Sequence, residues 1–353
     1  MKRLVRCGLA AGCVATGVLS LAERRARQAL TILCYHRVLP AAEKARYFIP
    51  DMVVTPAALA AHCELLRARF EVRTLSAALA RWPQRNGDQR PLAVITFDDG
   101  YQDNCQFAAP VLQEFGLPAT FFIITALAGT RALPWYDRLA RAAAAWRARG
   151  GTPANGHGLA PLLGRLAADV ADANAFARAV VSAAKRLPPE ERARLLDHFE
   201  RSGTPAAPPP TDQLMTWAQI AALARAGHEI GSHTRTHPIL TQLDDAALRS
   251  ELAGSRAELA ARLGVPPRSV AYPNGDADER VTRAARAAGY TAGVTLDPGN
   301  NPPGCGALRL TRHFMHEERL AGLSGGPSPN VLRLQLAGLA DQLLARALRA
   351  RGA

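Results

Sequence analysis

Residues Leu92 to Gly100 read LAVITFDDG. A short run of apolar and β-branched residues with no polar alternation, bounded by turn residues, predicts a strand buried on both faces, as in a parallel sheet covered by helices. The Asp98-Asp99-Gly100 turn then sets two adjacent carboxylates at the end of that strand. Mutual repulsion drives their side chains apart, so the two can hold different roles. Alone, such a turn is ordinary Asp-Gly chemistry, and its meaning depends on what the other strands deliver to the same place.

Working outward, similar β-rich runs recur at Thr31–Tyr35 (TILCY), Ala119–Thr125 (ATFFIIT), His228–Ser232 (HEIGS), Ser269–Tyr272 (SVAY) and Tyr290–Thr295 (YTAGVT). Helical patterns fall between them: Thr55–Phe70, Ala108–Glu114, Trp217–Ala226, Asp244–Leu263 and Glu279–Ala288, the last four closed by glycines. This alternation predicts an α/β barrel of parallel strands and outer helices. Polar residues follow the strands: His36 after the first, Asp98 and Asp99 after Phe97, His233 and His237 after Ser232, and Pro273-Asn274-Gly275 after Tyr272. In a parallel barrel all of them converge on the C-terminal mouth, where active sites are assembled.

His233-Thr234-Arg235-Thr236-His237 carries two imidazoles four residues apart. Such a pair reaches one metal ion from a helical turn or a compact loop, and neutral nitrogen donors suit zinc, nickel, cobalt or iron. With one carboxylate the set leaves coordination positions open for water and substrate, which is the arrangement of a catalytic rather than a structural site.

Phe97-Asp98-Asp99-Gly100 and His233-Thr234-Arg235-Thr236-His237 resemble the first two motifs of the NodB-homology polysaccharide deacetylases. The similarity runs from Leu33-Cys34-Tyr35-His36-Arg37-Val38 through Gly289-Tyr290 to the Asp297-Pro298-Gly299-Asn300 turn. It implies a distorted (β/α) barrel, one divalent metal ion held by Asp99, His233 and His237, and Asp98 as catalytic base. Zinc is the first expectation, with cobalt, nickel and iron as alternatives. The expected reaction is removal of N-acetyl groups from an acetamido sugar in a polysaccharide, oligosaccharide or lipid-linked glycan. The chemistry agrees, since amide hydrolysis needs a polarised carbonyl, an activated water and a protonated leaving amine. A backbone N–H at Asn274 is the candidate oxyanion donor. Tyr272, Pro273, Trp135 and Tyr136 are the candidate substrate contacts, the last two as an aromatic rim for a sugar face.

The chain also departs from the family pattern. Many members tether the base with an arginine where SVAYPNG has Ala271, and the later Asp-Trp and Leu-x-His motifs are not recognisable. The stretch after Thr295 is similar instead to a subgroup found with bacterial exopolysaccharide and glycolipid assembly. The general acid is therefore open between His313 and His36. An O-acetyl ester or cyclic amide hydrolase on the same barrel, and a glycan-binding protein that has lost its acid, are the competing functions.

The expected organisation is a basic and apolar segment over 1–28, the barrel over 29–128 and 212–330, a strand-free helical insertion over 129–211 that ends in the proline-rich TPAAPPPT, and a terminal helix over 331–353. A formal charge of +13 on 353 residues suits an anionic surface or glycan. No recognition helix, zinc finger or stacked-aromatic pattern points to nucleic acid. Six cysteines without paired spacing are expected to be free thiols, which favours a reducing compartment. Residues 7–22 (CGLAAGCVATGVLSLA) are uncharged between basic flanks. They predict a helix lying on an anionic membrane, with the cytoplasmic face favoured, and a cleaved export signal into the periplasm as the alternative. The sequence does not indicate an oligomeric state.

Overall fold

The computed structural model describes residues 2–84, 89–151, 172–202 and 212–340. The predicted strands form at β1 (Thr31–Tyr35), β5 (Leu92–Phe97), β6 (Thr120–Ile123), β7 (Glu229–Ser232), β8 (Ser269–Ala271) and β9 (Ala292–Val294). Four short strands are additional: β2 (Arg37–Val38), β3 (Val53–Val54), β4 (Glu71–Val72) and β10 (His313–Phe314). The sheet runs β10-β1-β5-β6-β7-β8-β9 with β4 also paired to β5, and every pairing is parallel. Its two edges meet through one segment: Leu310 bridges Val294, while His313 and Phe314 pair with Leu33 and Cys34. The expected distorted (β/α) barrel is therefore what forms, closed by a seam far slighter than its other joints.

All of β1 and β5 is buried, and alternation sorts their side chains between two layers. Ile32, Leu92, Val94, Phe122, Ala271, Ala292, Val294 and Leu310 meet inside the barrel. Leu33, Tyr35, Ala93, Ile95, Phe97 and Phe121 face outward, under the helices Pro56–Arg69 and Ala109–Phe115. Two places upward from Ile32, Val94 and Leu310, the same inward columns reach Cys34, Thr96 and Arg312. Polar side chains thus replace apolar ones as the barrel opens to its mouth.

The described parts of the predicted insertion are helical, at Trp135–Ala148, Ala173–Ala184 and Pro189–Arg201. They bury a core of their own from Leu139, Trp146, Phe176, Val180, Leu195 and Phe199, joined by Tyr47 and Phe48 from the loop after β2. The proline-rich connector lies outside the described residues, as does most of the predicted C-terminal helix, which is seen over Pro329–Leu336. All six cysteines are free.

Gly231 on β7 is a packing requirement of the barrel. A Cβ there would lie 2.5 Å from Phe122 ring carbons and 2.9 Å from Ser269 Oγ. Gly231→Ala should lower stability by about 1–3 kcal/mol, read as a shift in the urea unfolding midpoint; an unchanged midpoint would show that the interior has slack.

Candidate active site

Asp98 and Asp99 follow β5 at the barrel mouth, and the turn forces their carboxylates apart. Asp99 has φ 72° and Gly100 φ 77°, the left-handed conformation that reverses the direction of successive side chains and is uncommon for a residue with a Cβ. Asp98 turns to one wall of the mouth and Asp99 to the other, as expected from their adjacency.

On Asp99's side, its Oδ1 lies 3.4 Å from His233 Nε2 and 3.5 Å from His237 Nε2. The ligand atoms of these three residues all lie within 4.8 Å of one another. The His233 Nδ1–H donates to the Ala271 carbonyl at 2.8 Å, which orients the ring and leaves Nε2 on the side of Asp99. The 233–237 loop is held by Glu251, which accepts from Arg235 N, Thr236 N and Thr236 Oγ1 at 2.7–3.0 Å. Thr234 and His237 adopt φ 65° and 62° within it, and the Thr234 hydroxyl accepts from His237 N.

Among the described residues, two buried polar atoms in this group have no hydrogen-bond partner, Asp99 Oδ2 and His237 Nδ1. Such orphans are costly in a folded protein. A divalent cation among one carboxylate and two imidazoles satisfies the carboxylate, and the donor set is one that zinc and its neighbours accept. The residues present fit the implied metal. Burial alone would raise the Asp99 pKa, but the surrounding imidazoles outweigh it and hold the group ionised. Burial, aided by the nearby His233, pushes His237 down to about 3. An ionised Asp99 and a neutral His237 are the forms that ligate a metal. At His233 burial alone would lower the pKa, but the neighbouring Asp99 and Asp98 carboxylates hold it above the ordinary histidine value, so ligation there displaces a proton.

Arg312 governs Asp98's side. Its Nη1 and Nη2 donate to Asp98 Oδ1 and Oδ2, each at 2.7 Å, its Nε donates to Thr295 O at 2.8 Å, and Nη1 also reaches Thr96 Oγ1. Both side chains are buried. Burial would raise the Asp98 carboxyl, and the guanidinium more than offsets this, holding it below the usual carboxylate range. Ala271 stands where many relatives carry the tethering arginine, and here the tether arrives from β10's edge of the seam. Sequence reading missed it. The available signal was an arginine two places beyond Leu310 on the same inward column.

The same parity separates the two candidate acids. His313 sits one residue from Arg312 and points out of the barrel, its Nε2 against Asn300 Oδ1 at 2.9 Å and its Nδ1 3.4 Å from Gln335 Nε2. The structure does not bring it to the mouth. His36 is there, with Nε2 3.9 Å from Asp98 Oδ2 and its ring 4.9 Å from that of Phe314. Burial lowers its pKa, so it rests neutral.

Three other expectations are placed differently from one another. Tyr272 is not at the mouth: its hydroxyl donates to Leu308 O, its N–H donates to Val294 O, and its ring is buried with Leu240, Leu248 and Leu252. Pro273 is buried as the first residue of the turn that follows. Asn274 caps that turn at φ 60°, and its N–H makes no hydrogen bond among the described residues. Trp135 and Tyr136 do reach the site, but as braces. Trp135 Nε1 donates to His237 O at 3.1 Å, with the Arg192 guanidinium 4.7 Å over its ring, and the Tyr136 ring meets His237 edge-on at 5.0 Å. Next to them Asp137 accepts from Tyr101 and Tyr47 hydroxyls at 2.8 and 3.0 Å, and burial pushes its carboxyl up to about 7.

Parallel barrel, paired imidazoles and divided carboxylates together define a NodB-type deacetylase barrel. The deacetylase PplD of Streptococcus pyogenes, solved with acetate, superposes with a TM-score of 0.56 at 17% identity, over 87% of this chain and 98% of that one. IcaB of Ammonifex degensii gives 0.54 at 19% identity, over 88% and 97%; these two likenesses establish the fold. The polysaccharide deacetylase-like protein YxkH of Bacillus subtilis (strain 168) is 24% identical over 215 residues, 60% of this chain, and this chain spans about half of that relative's length (48%). The polysaccharide deacetylase family model matches residues 85–160 and 177–293. The chain belongs to the polysaccharide deacetylase family.

Because Asp98 is held below its unfolded pKa, the pair's contribution is fully present above about pH 4 and is lost as pH falls through the folded value. Arg312→Met leaves a buried carboxylate uncompensated. At neutral pH it should cost about 3–5 kcal/mol, measured by urea unfolding, with Arg312→Lys recovering part of the loss. Equal midpoints for wild type and Arg312→Met would remove the pair from the stability argument.

Proposed function

We propose that the chain is a metal-dependent hydrolase that removes an N-acetyl group from an acetamido sugar of a glycan, whether polymeric, oligomeric or lipid-linked. The observation that carries this reading is the division of labour between neighbouring carboxylates: Asp99 faces two imidazoles, and Asp98 faces a guanidinium. A metal site that only bound glycan would need the first arrangement and not the second.

A divalent ion held by Asp99, His233 and His237, zinc foremost, with cobalt, nickel and iron as alternatives, would supply Lewis-acid polarisation of the acetyl carbonyl and of the attacking water. Asp98 is ionised and oriented by Arg312 to take that water's proton. His36, neutral at rest and 3.9 Å from Asp98, can pass a proton onward to the leaving nitrogen. The Asn274 N–H is available to the oxyanion as negative charge develops on the acetyl oxygen. Trp135 and Tyr136 hold His237 in place.

Asp98→Asn keeps a hydrogen-bond acceptor for Arg312 while removing the base. Acetate release from N-acetylated oligosaccharides should fall by roughly 10²- to 10⁴-fold with metal content unchanged. His237→Ala should instead lose most of the bound metal by elemental analysis. Unchanged acetate release from Asp98→Asn would clear it of the base role, and release from O-acetyl but never N-acetyl substrates would move the reading to an esterase.

A further inference from the structure

The first two helices, Lys2–Ala15 and Val18–Ala26, are bent by 84° from one another about Gly17, whose φ is 75°. One side of the pair is built into the molecule. Ala10, Cys13 and Leu19 are buried in the same cluster as Val331, Leu332 and Leu334. Glu23 accepts from Arg333 through both carboxylate oxygens, at 2.8 and 3.0 Å. Arg3 and Arg6 donate to the Leu323 and Glu318 carbonyls. Removing this segment would open the outer core.

Among the described residues nothing covers the opposite side. Leu4, Val5, Leu9, Val14, Val18 and Leu21 are exposed, Leu4 by 67% and Val5 by 64%, and residues 7–22 contain no charge that could solvate that face. Positive charge borders it, from Arg3 at one end and the exposed Arg24, Arg25 and Arg27 at the other. The segment's one acidic residue, Glu23, is neutralised by Arg333. An apolar face with a cationic border complements an anionic bilayer surface. No single helix among the described residues is long and apolar enough to cross a membrane. A crossing by the bent pair would also have to strip Ala10, Cys13, Leu19 and Glu23 from their partners.

We propose that this helix pair is a retained docking face that lays the protein in the plane of an anionic lipid bilayer. The chain it grips, Glu318–Leu323, continues directly from β10 past His316 at the barrel mouth.

The test is flotation of the full chain with vesicles of phosphatidylcholine alone or mixed with phosphatidylglycerol. Wild type should float with the mixed vesicles. Leu4→Ser/Val5→Ser/Leu9→Ser, confined to exposed positions and checked for an unchanged melting temperature, should bind at least about tenfold more weakly. Arg24→Gln/Arg25→Gln should lose the preference for phosphatidylglycerol. No flotation, or flotation indifferent to both variants, overturns the proposal. So does a lipid-free dimer that the serine variant dissociates, since a second copy would then cover the face, and so does protein from cells whose N-terminus starts after Ala22.

Discussion

The Arg312–Asp98 pair is the contact on which the rest of the mouth depends. Two fully buried ions are expensive to desolvate, and they persist only where geometry and further hydrogen bonds compensate. Here the compensation is a bidentate fork at 2.7 Å plus bonds from the guanidinium to Thr295 O and Thr96 Oγ1. Arg312 belongs to the thin segment that closes the barrel, and Asp98 follows β5, which lies one strand beyond β1. The pair therefore ties the weakest seam of the sheet to the end of a fully buried strand. It also commits one carboxylate to a cation of the chain's own, leaving Asp99 as the carboxylate that faces the imidazoles.

Four non-glycine residues among those described have left-handed φ values: Asp99, Thr234, His237 and Asn274. All four lie in turns at the mouth. Such conformations cost on the order of 1–3 kcal/mol each and survive only when the surroundings overdetermine them. Glu251 overdetermines the Thr234 and His237 loop with three accepted hydrogen bonds. Trp135 adds a donor to the His237 carbonyl from a helix more than a hundred residues away in sequence. The helical insertion is thus part of what fixes the site, through a bond that no local motif encodes.

The barrel strands and the Asp98, Asp99, His233 and His237 set were legible because each signal is local: an apolar run, then a polar turn at its end. Arg312 was not, because its meaning lies in register. It precedes a strand of only two residues, and the pairing of Leu33 with His313, which sets its face, is a relation between distant segments. One place along the chain reverses the face, which is why His313, a candidate acid, points outward while Arg312, which the sequence reading passed over, reaches the mouth. Tyr272 shows the same limit from another side: an aromatic beside a conspicuous turn was read as a substrate contact, whereas its hydroxyl has a carbonyl partner inside the wall. The bracing role of Trp135 likewise follows from three-dimensional placement.

The most direct measurement is acetate release from a panel of N-acetylated oligosaccharides by the same protein preparation before chelation, after chelation, and after one equivalent of zinc is restored. If Asp99, His233 and His237 hold a catalytic ion, release is lost on stripping and returns with the metal, each product lighter by one acetyl group. Release that survives complete removal of metal, or that never occurs with the metal in place, would contradict a metal-dependent deacetylase.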